Sequence, residues 1–588
     1  WIRQRKKISA LIFATSLLLP LGGLYRQPLQ AWITAKLERN TNSLTTLSKD
    51  KTLVVLPFKE AGSTQEDKVG RGFAKALQEI LASAGELRVL PLAEALQANI
   101  SNVTPDRVSK VTGATFVLDG EIRREKDALS IEYWVQNSLG TRLTSGTATG
   151  KTNEYARLQA EITERVVRVL NIQATALQVA ATFKKPDSEE RYLEALNVLQ
   201  TDLTKDVIPS LVKNLQSLQQ AEPNSAPVLV ALAQAHFRRA KEYKDADVAT
   251  SAINEALKYA EQAVALAPTS VEAELVRGQS FLLLGQIDDA IHSFTRARQQ
   301  QPSSLDAILG LAYAHQDARQ PVEAEKYYRE AVSHWPDYWG SYNELGAFLL
   351  DQGQFDLALA TMRKVIELNP TGVTGYINAG NACIKLERYA EAEDYFRASL
   401  NLPARKAENT EEAYIGWGVA RYYQRLFGLA AESFHSGLQF NDKSILLLVN
   451  LGDALRQLNS QDQEALTSYQ KAIELLQRQE LGPQGLLDLA ELFAKRSRLQ
   501  ATSNTADKKR ALQLLRRAVP ANETDATLLG RAALIYHLLA DDKNTFAYLE
   551  KAVQQGYRLT NLAHDPDYQG LRLDPRFDTI SKAAQKTS

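Results

Sequence analysis

From about residue 226 onward the apolar positions recur at helical spacing, and a longer period is laid over them. Pro268, Pro302, Pro336 and Pro370 fall 34 residues apart. Gly278, Ala312, Gly346 and Gly380 share a second register, and Ala290, Ala324, Ala358 and Ala392 a third. A fourth holds Phe294, Tyr328, Met362 and Phe396, and a fifth holds Ala297, Ala331, Val365 and Ser399. Small residues recur where two helices must touch, large ones where a wedge is needed, and proline where a helix must stop. The pattern extends upstream through Ala256, Ala260 and Ala263. Downstream it continues through Gly418, Ala430 and Phe434, then Gly452, Ala465, Tyr469 and Ala472, then Ala511, Leu515 and Ala518, and finally Thr545, Leu549 and Ala552. The reading predicts nine to ten helix pairs over 189–560, with 561–588 as a cap.

Ahead of the array the period changes. TLVVLPF (Thr52 to Phe58) is a short apolar run ended by proline, and LRVLP (Leu87 to Pro91) is a second strand candidate. Residues 67–84 carry Phe73, Leu77, Ile80 and Leu81 on one helical face. Two short helices are expected near 91–98 and 105–112. GATFVLDGEIRR, DALSIEYWVQ and TRLTSGTATG follow, joined by the turn-like REKD and NSLG. In the middle segment Leu129, Ile131, Tyr133 and Val135 alternate with Ser130, Glu132, Trp134 and Gln136, which predicts a half-buried antiparallel meander. A helix over about 153–170, with Ile162, Val166, Val167 and Leu170 on one side, closes a small α/β domain at 51–172. Linkers are expected at 26–50 and 173–188.

At the amino end, Arg3, Arg5, Lys6 and Lys7 precede an uncharged run at 8–24. Seventeen helical residues rise about 25 Å, near the lower limit for crossing a bilayer core. No convincing cleavage site follows, so a retained anchor over 1–25 is expected rather than a signal peptide. The basic cluster would hold the amino end in the cytoplasm and put the bulk of the chain outside, in the periplasm of a bacterium. The chain begins at Trp1 and its one methionine is Met362, so a fragment or a processed product is expected.

Charge and residue counts narrow the function. Sixty-nine basic residues balance 69 acidic ones, so no net field draws the chain to nucleic acid, and no nucleic-acid partner is expected. The single cysteine, Cys383, rules out an internal disulfide and reads as a small core residue. There is no phosphate loop, nucleophile elbow or His-Glu-x-x-His, and the seven histidines are scattered. No catalytic, cofactor or metal site is assigned within this chain.

The proline, glycine, alanine and aromatic registers resemble the tetratricopeptide repeat (TPR), a helix-turn-helix unit. The resemblance implies a mainly α fold, an α-solenoid superhelix whose first helices line a groove. Its spacing implies that Gln279, Leu282, Tyr313, Gln316, Asn343 and Asn381 face that groove, where a protein or peptide ligand would lie. LPF after the first strand, GATFVLDGEI, the meander with Gly140, and SEERYLEALNVL resemble a TolB-like amino-terminal domain. Together with HWPDYWGSYNELG and the DPDYQGLRLDPRF ending, the order of parts resembles the extracytoplasmic region of membrane-anchored bacterial signalling proteins. The nearest likeness is to serine/threonine protein kinases with carboxyl-terminal TPR repeats. That resemblance implies a sensor half whose effector precedes Trp1, although no kinase motif stands in these residues. Sensor halves of winged-helix regulators or adenylate cyclases, and a stand-alone envelope scaffold, are the alternatives.

Overall fold

The computed structural model describes residues 51–587 except 62–67, 85–86, 91–107, 110–111, 173–182, 186, 202, 244, 403–406, 459–460, 500–503, 521–522, 558 and 560–567. The expected anchor at 8–24 and the helix near 91–98 lie outside these residues. Of the stretch 105–112, residues 108, 109 and 112 are described, and they are helical. Among the described residues no helix is long and apolar enough to cross a membrane. The described chain divides into two compact units. One comprises 51–348 with Lys364–Pro370, and the other comprises Leu349–Arg363 with 371–587.

The first unit begins with a mixed sheet of β1 (Thr52–Val55), β2 (Lys59–Glu60), β3 (Arg88–Val89), β4 (Phe116–Glu125), β5 (Ala128–Asn137) and β6 (Arg142–Lys151). Its order is β3-β1-β4-β5-β6, with β2 also pairing β4. β1 runs parallel to both β3 and β4, which is why its residues form an unbroken apolar run buried on both faces. β4, β5 and β6 form the antiparallel meander, with Ile131 opposite Ile122 and Ala148. Lys126 and Gly140 take positive φ at its two turns. Helices α1 (Gly70–Ala82) and α2 (Tyr155–Val169) cover one face. Phe73, Leu77 and Leu81 of α1 and Leu158, Ile162 and Val166 of α2 join Leu53, Val55, Ile131 and Val135 in one core.

Twenty helices follow in ten consecutive pairs among the described residues. In the first unit these begin with α3 (Ser188–Leu199), α4 (Val207–Ala221), α5 (Ala226–Glu242), α6 (Ala246–Leu266), α7 (Val271–Leu283), α8 (Ile287–Gln300), α9 (Leu305–Asp317) and α10 (Pro321–His334). The next pair, α11 (Trp339–Asp351) and α12 (Phe355–Leu368), spans the division between the units. The second unit continues with α13 (Val373–Lys385), α14 (Tyr389–Leu400), α15 (Ala407–Tyr423), α16 (Phe427–Leu438), α17 (Ile445–Arg456) and α18 (Asp462–Gln477). It ends with α19 (Pro483–Leu499), α20 (Asn504–Ala518), α21 (Ala526–Leu538), α22 (Asp542–Gln554), α23 (Gln569–Arg572) and α24 (Pro575–Thr587).

The registers now have physical causes. The Phe294 ring lies where a Cβ on either Gly278 or Gly310 would stand, 2.8 and 2.5 Å from its atoms. The wedge therefore needs a small residue on its own pair's first helix and another on the next pair's. Phe396 repeats this between Gly380 and Gly416. Second helices close with the residue before each proline, as Gln301 N donates to Ala297 O and Trp335 N to Ala331 O at 2.9 Å. Proline then forbids another turn. Ser270, Ser304 and Ser444 cap the first helices that follow, their hydroxyls accepting from the backbone three residues on.

A register invisible in residue type marks the turn inside six of the pairs. Gly285, Arg319, Gly353, Glu387, Arg425 and Ala540 all have φ between 58° and 75°. Gly285 N donates to Leu282 O and Gln286 N to Phe281 O, and the same two bonds recur at Arg319–Gln320 and Glu387–Arg388. Six of the first helices thus end in a left-handed cap that reverses the chain, whatever side chain stands there.

The α/β region and the repeats share their core within the first unit. Gly72 of α1 approaches the α3 backbone, and Asn197 Oδ1 accepts from Arg71 N at 2.9 Å, capping α1 from the repeat side. Glu189 of α3 accepts from the first amides of α2, Tyr155 N at 3.1 Å and Ala156 N. The sheet's opposite face is covered as well. Val54 and Leu56, which alternate with Leu53 and Val55, join Leu90, Val108, Ala114 and Val117 in a cluster with Leu305, Ile308, Trp335 and Tyr338. Arg88 stacks on Trp335 at 5.8 Å and donates to His334 O at 2.5 Å. Gly113, at φ +69, lies against the Asp337 backbone. The α/β sheet is therefore sandwiched between its own two helices and the turn between α10 and α11.

Candidate partner-binding surface

First helices touch in succession at α3–α5, α5–α7 and α7–α9 in the first unit, and at α13–α15, α15–α17 and α19–α21 in the second, so their exposed faces form surfaces within each unit. Gln279 lies on α7, half-buried, and makes no hydrogen bond among the described residues. Leu282, one turn on, is buried and serves the core more than the surface. Tyr313 on α9 donates its hydroxyl to Glu344 Oε2 at 2.5 Å, and Asn343 Nδ2 donates to Glu344 Oε1 at 3.4 Å. Gln316 accepts from Tyr328 Oη at 2.6 Å, and the Tyr328 ring packs edge-on against Tyr313. Tyr313, Gln316 and Asn343 are thus brought together by Glu344, which the spacing did not single out, and by Tyr328, a wedge of the aromatic register. Asn381 on α13 lies in the second unit, half-buried and with no hydrogen bond among the described residues.

One turn beyond Asn381 stands Lys385, also half-buried and without an ion pair among the described residues. Burial alone pulls its ammonium down to about 8. Sequence spacing could have placed it on the same helix face but could not have told that its charge lacks a counterion.

Two charged groups tie later repeats together. Glu393 of α14 accepts from Trp417 Nε1 and Arg421 Nε at 2.9 Å and from Gln424 Nε2 at 2.7 Å, while the Arg421 guanidinium lies 4.1 Å over the Trp417 ring. Farther on, Lys495 of α19 bridges Asp453 of α17 at 2.8 Å and Glu491 at 3.0 Å. Arg531 of α21 joins Glu491 at 2.9 Å and Asp488 at 2.8 Å. Tyr469 Oη donates to Asp453 at 2.6 Å. Burial pushes the Glu491 carboxyl up, but Lys495 and Arg531 outweigh it and hold the group down to about 2. Asp488, with Arg531 as its cation, is instead raised, because burial prevails there. Three first helices are locked by this chain of ion pairs, whose members were not visible as a set because the repeat spacing is irregular after 456.

No cluster of three or more candidate metal ligands occurs among the described residues. Cys383 is fully buried, and burial pushes its thiol up to about 12, so it stays protonated and packs as a small core residue. These side chains offer hydrogen bonds, isolated charges and apolar area rather than an activated nucleophile.

A family model described as tetratricopeptide repeat matches residues 245–304, 275–342, 309–373 and 349–409. The type IV pilus assembly protein PilF of Pseudomonas aeruginosa is 26% identical over 206 residues, 34% of this chain and 77% of PilF. The human cell division cycle protein 16 homolog is 25% identical over 209 residues, 34% of this chain, and the chain spans 33% of that relative. Among solved structures, YrrB, a TPR protein with an unusual peptide-binding site, aligns with 36% of this chain and 99% of its own length at 16% identity and a TM-score of 0.26. With the 34-residue registers and the glycine-seated wedges in agreement with the family model, residues 245–409 form an array of tetratricopeptide repeats.

Proposed function

We propose that this chain is a non-catalytic interaction protein whose first-helix faces take an extended peptide or a helix from a protein partner. The observation that carries the reading is the set of half-buried polar groups on those faces, Gln279, Asn381 and Lys385, that no group among the described residues satisfies. A half-buried polar end without a partner costs stability unless water or a ligand completes it. Tyr313, Gln316 and Asn343, held by Glu344 and Tyr328, supply a preorganised hydrogen-bonding patch on the same faces. The test is a display selection of random peptides against the full chain. Enriched peptides should lose roughly tenfold or more in affinity for a Gln279→Ala/Asn343→Ala or an Asn381→Ala/Lys385→Ala variant. Equal binding to the wild type and both variants would remove the first-helix faces from the proposal.

The finer reading is that the α/β region is TolB-like, that residues 8–24 anchor the chain in the cytoplasmic membrane with its bulk periplasmic, and that it forms the sensor half of a kinase-type signalling protein. It is supported by the uncharged run behind Arg3, Arg5, Lys6 and Lys7 and by the motif order from LPF to the closing helix. Reporter fusions at Lys51 and at the carboxyl end should be active only outside the cytoplasm, and activity inside would sink it. A second reading, an envelope assembly scaffold, is favoured by the similarity to PilF, a type IV pilus assembly protein. The reading frame upstream of Trp1 separates the two, since an in-frame effector domain supports the sensor and its absence the scaffold.

A further inference from the structure

The second helix of the ninth pair, α20, carries Lys508, Lys509, Arg510, Arg516 and Arg517 but a single acid, Asp507. That acid is buried and engaged by Arg496 at 2.5 Å, so it offsets none of the five. Ala511, Leu514, Leu515 and Ala518 turn inward. Lys509, Arg510, Gln513, Arg516 and Arg517 are exposed, at the spacing that lines one side of a helix. None of these cations forms an ion pair among the described residues. By contrast, Arg363, Arg388, Arg397, Arg421, Arg496 and Arg531 in the same unit all meet carboxylates. Between Arg510, Arg516 and Arg517 the surface sinks into an open recess of about 370 Å³, lined also by Gln513 and Leu514.

The helix dipole accounts for Arg516 and Arg517 in the last turn, but it has no hold on Lys509 and Arg510 nearer the other end. Four cations held along one exposed helix side repel one another, and an anion laid along them relieves that repulsion. Three guanidiniums around one recess match carboxylates, which they can grip in bidentate fashion.

The width of the field selects the ligand. On the neighbouring second helices the exposed charges are mixed, with Lys471 and Glu474 on α18 and Lys543, Glu550 and Lys551 on α22. The uncompensated charge is therefore one helix wide, too narrow for a planar anionic bilayer. It is about 14 Å long, the length of roughly four extended residues. No aromatic side chain stands on α20 to stack a base.

We infer that the outward side of α20 is a second docking surface, separate from the first-helix faces, that takes a linear Asp/Glu-rich segment of a partner protein on Arg510, Arg516 and Arg517. The inference stands whether or not the first-helix faces bind peptide.

The experiment is fluorescence anisotropy of a labelled acidic peptide of about 12 residues, alternating Glu and Ser, titrated with the full chain. Binding should weaken steeply as salt rises from about 50 to about 200 mM, since exposed pairs are screened. Arg510→Glu/Arg516→Glu/Arg517→Glu should weaken it roughly tenfold or more, and the triple Gln variant by less. Both variants should keep the wild-type circular dichroism and thermal midpoint, because the replaced side chains are exposed. Absence of peptide binding, or equal binding by wild type and both variants, overturns the inference. So does tighter binding of a single-stranded oligonucleotide or of anionic vesicles through the same three arginines.

Discussion

Replacing Gly72 by alanine separates two effects of opposite sign. Gly72 lies in the first turn of α1, where alanine is the better helix former by about 1 kcal/mol. On propensity alone the variant gains stability. The structure predicts a loss, because a Cβ at Gly72 would stand 1.9 Å from Leu193 O and 3.0 Å from Asn197 N, both backbone atoms of α3. Neither can rotate away, so the helices must part. Overpacking of this kind costs about 1–3 kcal/mol. Parting them also stretches the Arg71 N to Asn197 Oδ1 bond, worth about 1 kcal/mol. Set against the propensity gain, the net is a loss of about 1–3 kcal/mol. Gly428, exposed near the start of α16 with nothing near its Cβ position, is the internal control, and Gly428→Ala should gain up to about 1 kcal/mol. A chain with two compact units need not unfold in one step, so amide hydrogen exchange resolved to α1 and α3 is the suitable assay. Faster exchange there in Gly72→Ala, with slower exchange in α16 of Gly428→Ala, is the expected pair. If Gly72→Ala slowed exchange in α1 and α3, the close backbone contact, and with it the fixed junction between sheet and repeats, would be refuted.

Three further outcomes follow from individual residues. Arg319→Gly and Arg425→Gly should each raise local stability by about 1 kcal/mol, since both residues hold a left-handed conformation with exposed side chains, and a loss on exchange measurements would contradict the cap. Burial raises the Glu189 carboxyl to about 7, against the Ala156 and Tyr155 amides that lower it, so its contribution is fully present below the ordinary value of 4.5 and fades as pH rises through about 7. Exchange at the first turn of α2 should accordingly quicken from about pH 5 to about pH 8 beyond the intrinsic rate, and Glu189→Gln should remove that excess. Lys495→Met should cost about 3–5 kcal/mol in the second unit, because Asp453 and Glu491 lose the ammonium they share, and a denaturation midpoint at or above wild type would show the ion-pair chain to be dispensable.

What could be read from the residues, and what could not, follows from what each position demands. Phe294 needs a small neighbour and Pro302 ends a helix, so those positions constrain residue type and the array was legible at once. Arg319, Glu387 and Ala540 share one backbone conformation with Gly285 but no side chain, so that register left no trace in the alphabet. The TLVVLPF run told that β1 is buried on both sides, yet an apolar run is the same whichever layer covers it. The covering of Val54 and Leu56 by Leu305, Ile308 and Trp335 came only from the fold. At the candidate surface, spacing placed Tyr313, Gln316 and Asn343 on first helices. Their pairing through Glu344 and Tyr328 depends on how neighbouring pairs nest, which no local pattern encodes.

The most direct test of the central claim is amide hydrogen exchange of the full chain with and without a saturating peptide taken from the display selection. Protection concentrated in α7, α9 and α11 around Gln279, Tyr313 and Asn343, or in α13 around Asn381, is what the account predicts. Protection confined to the second helices or to the α/β sheet, with those four first helices unchanged, would contradict it.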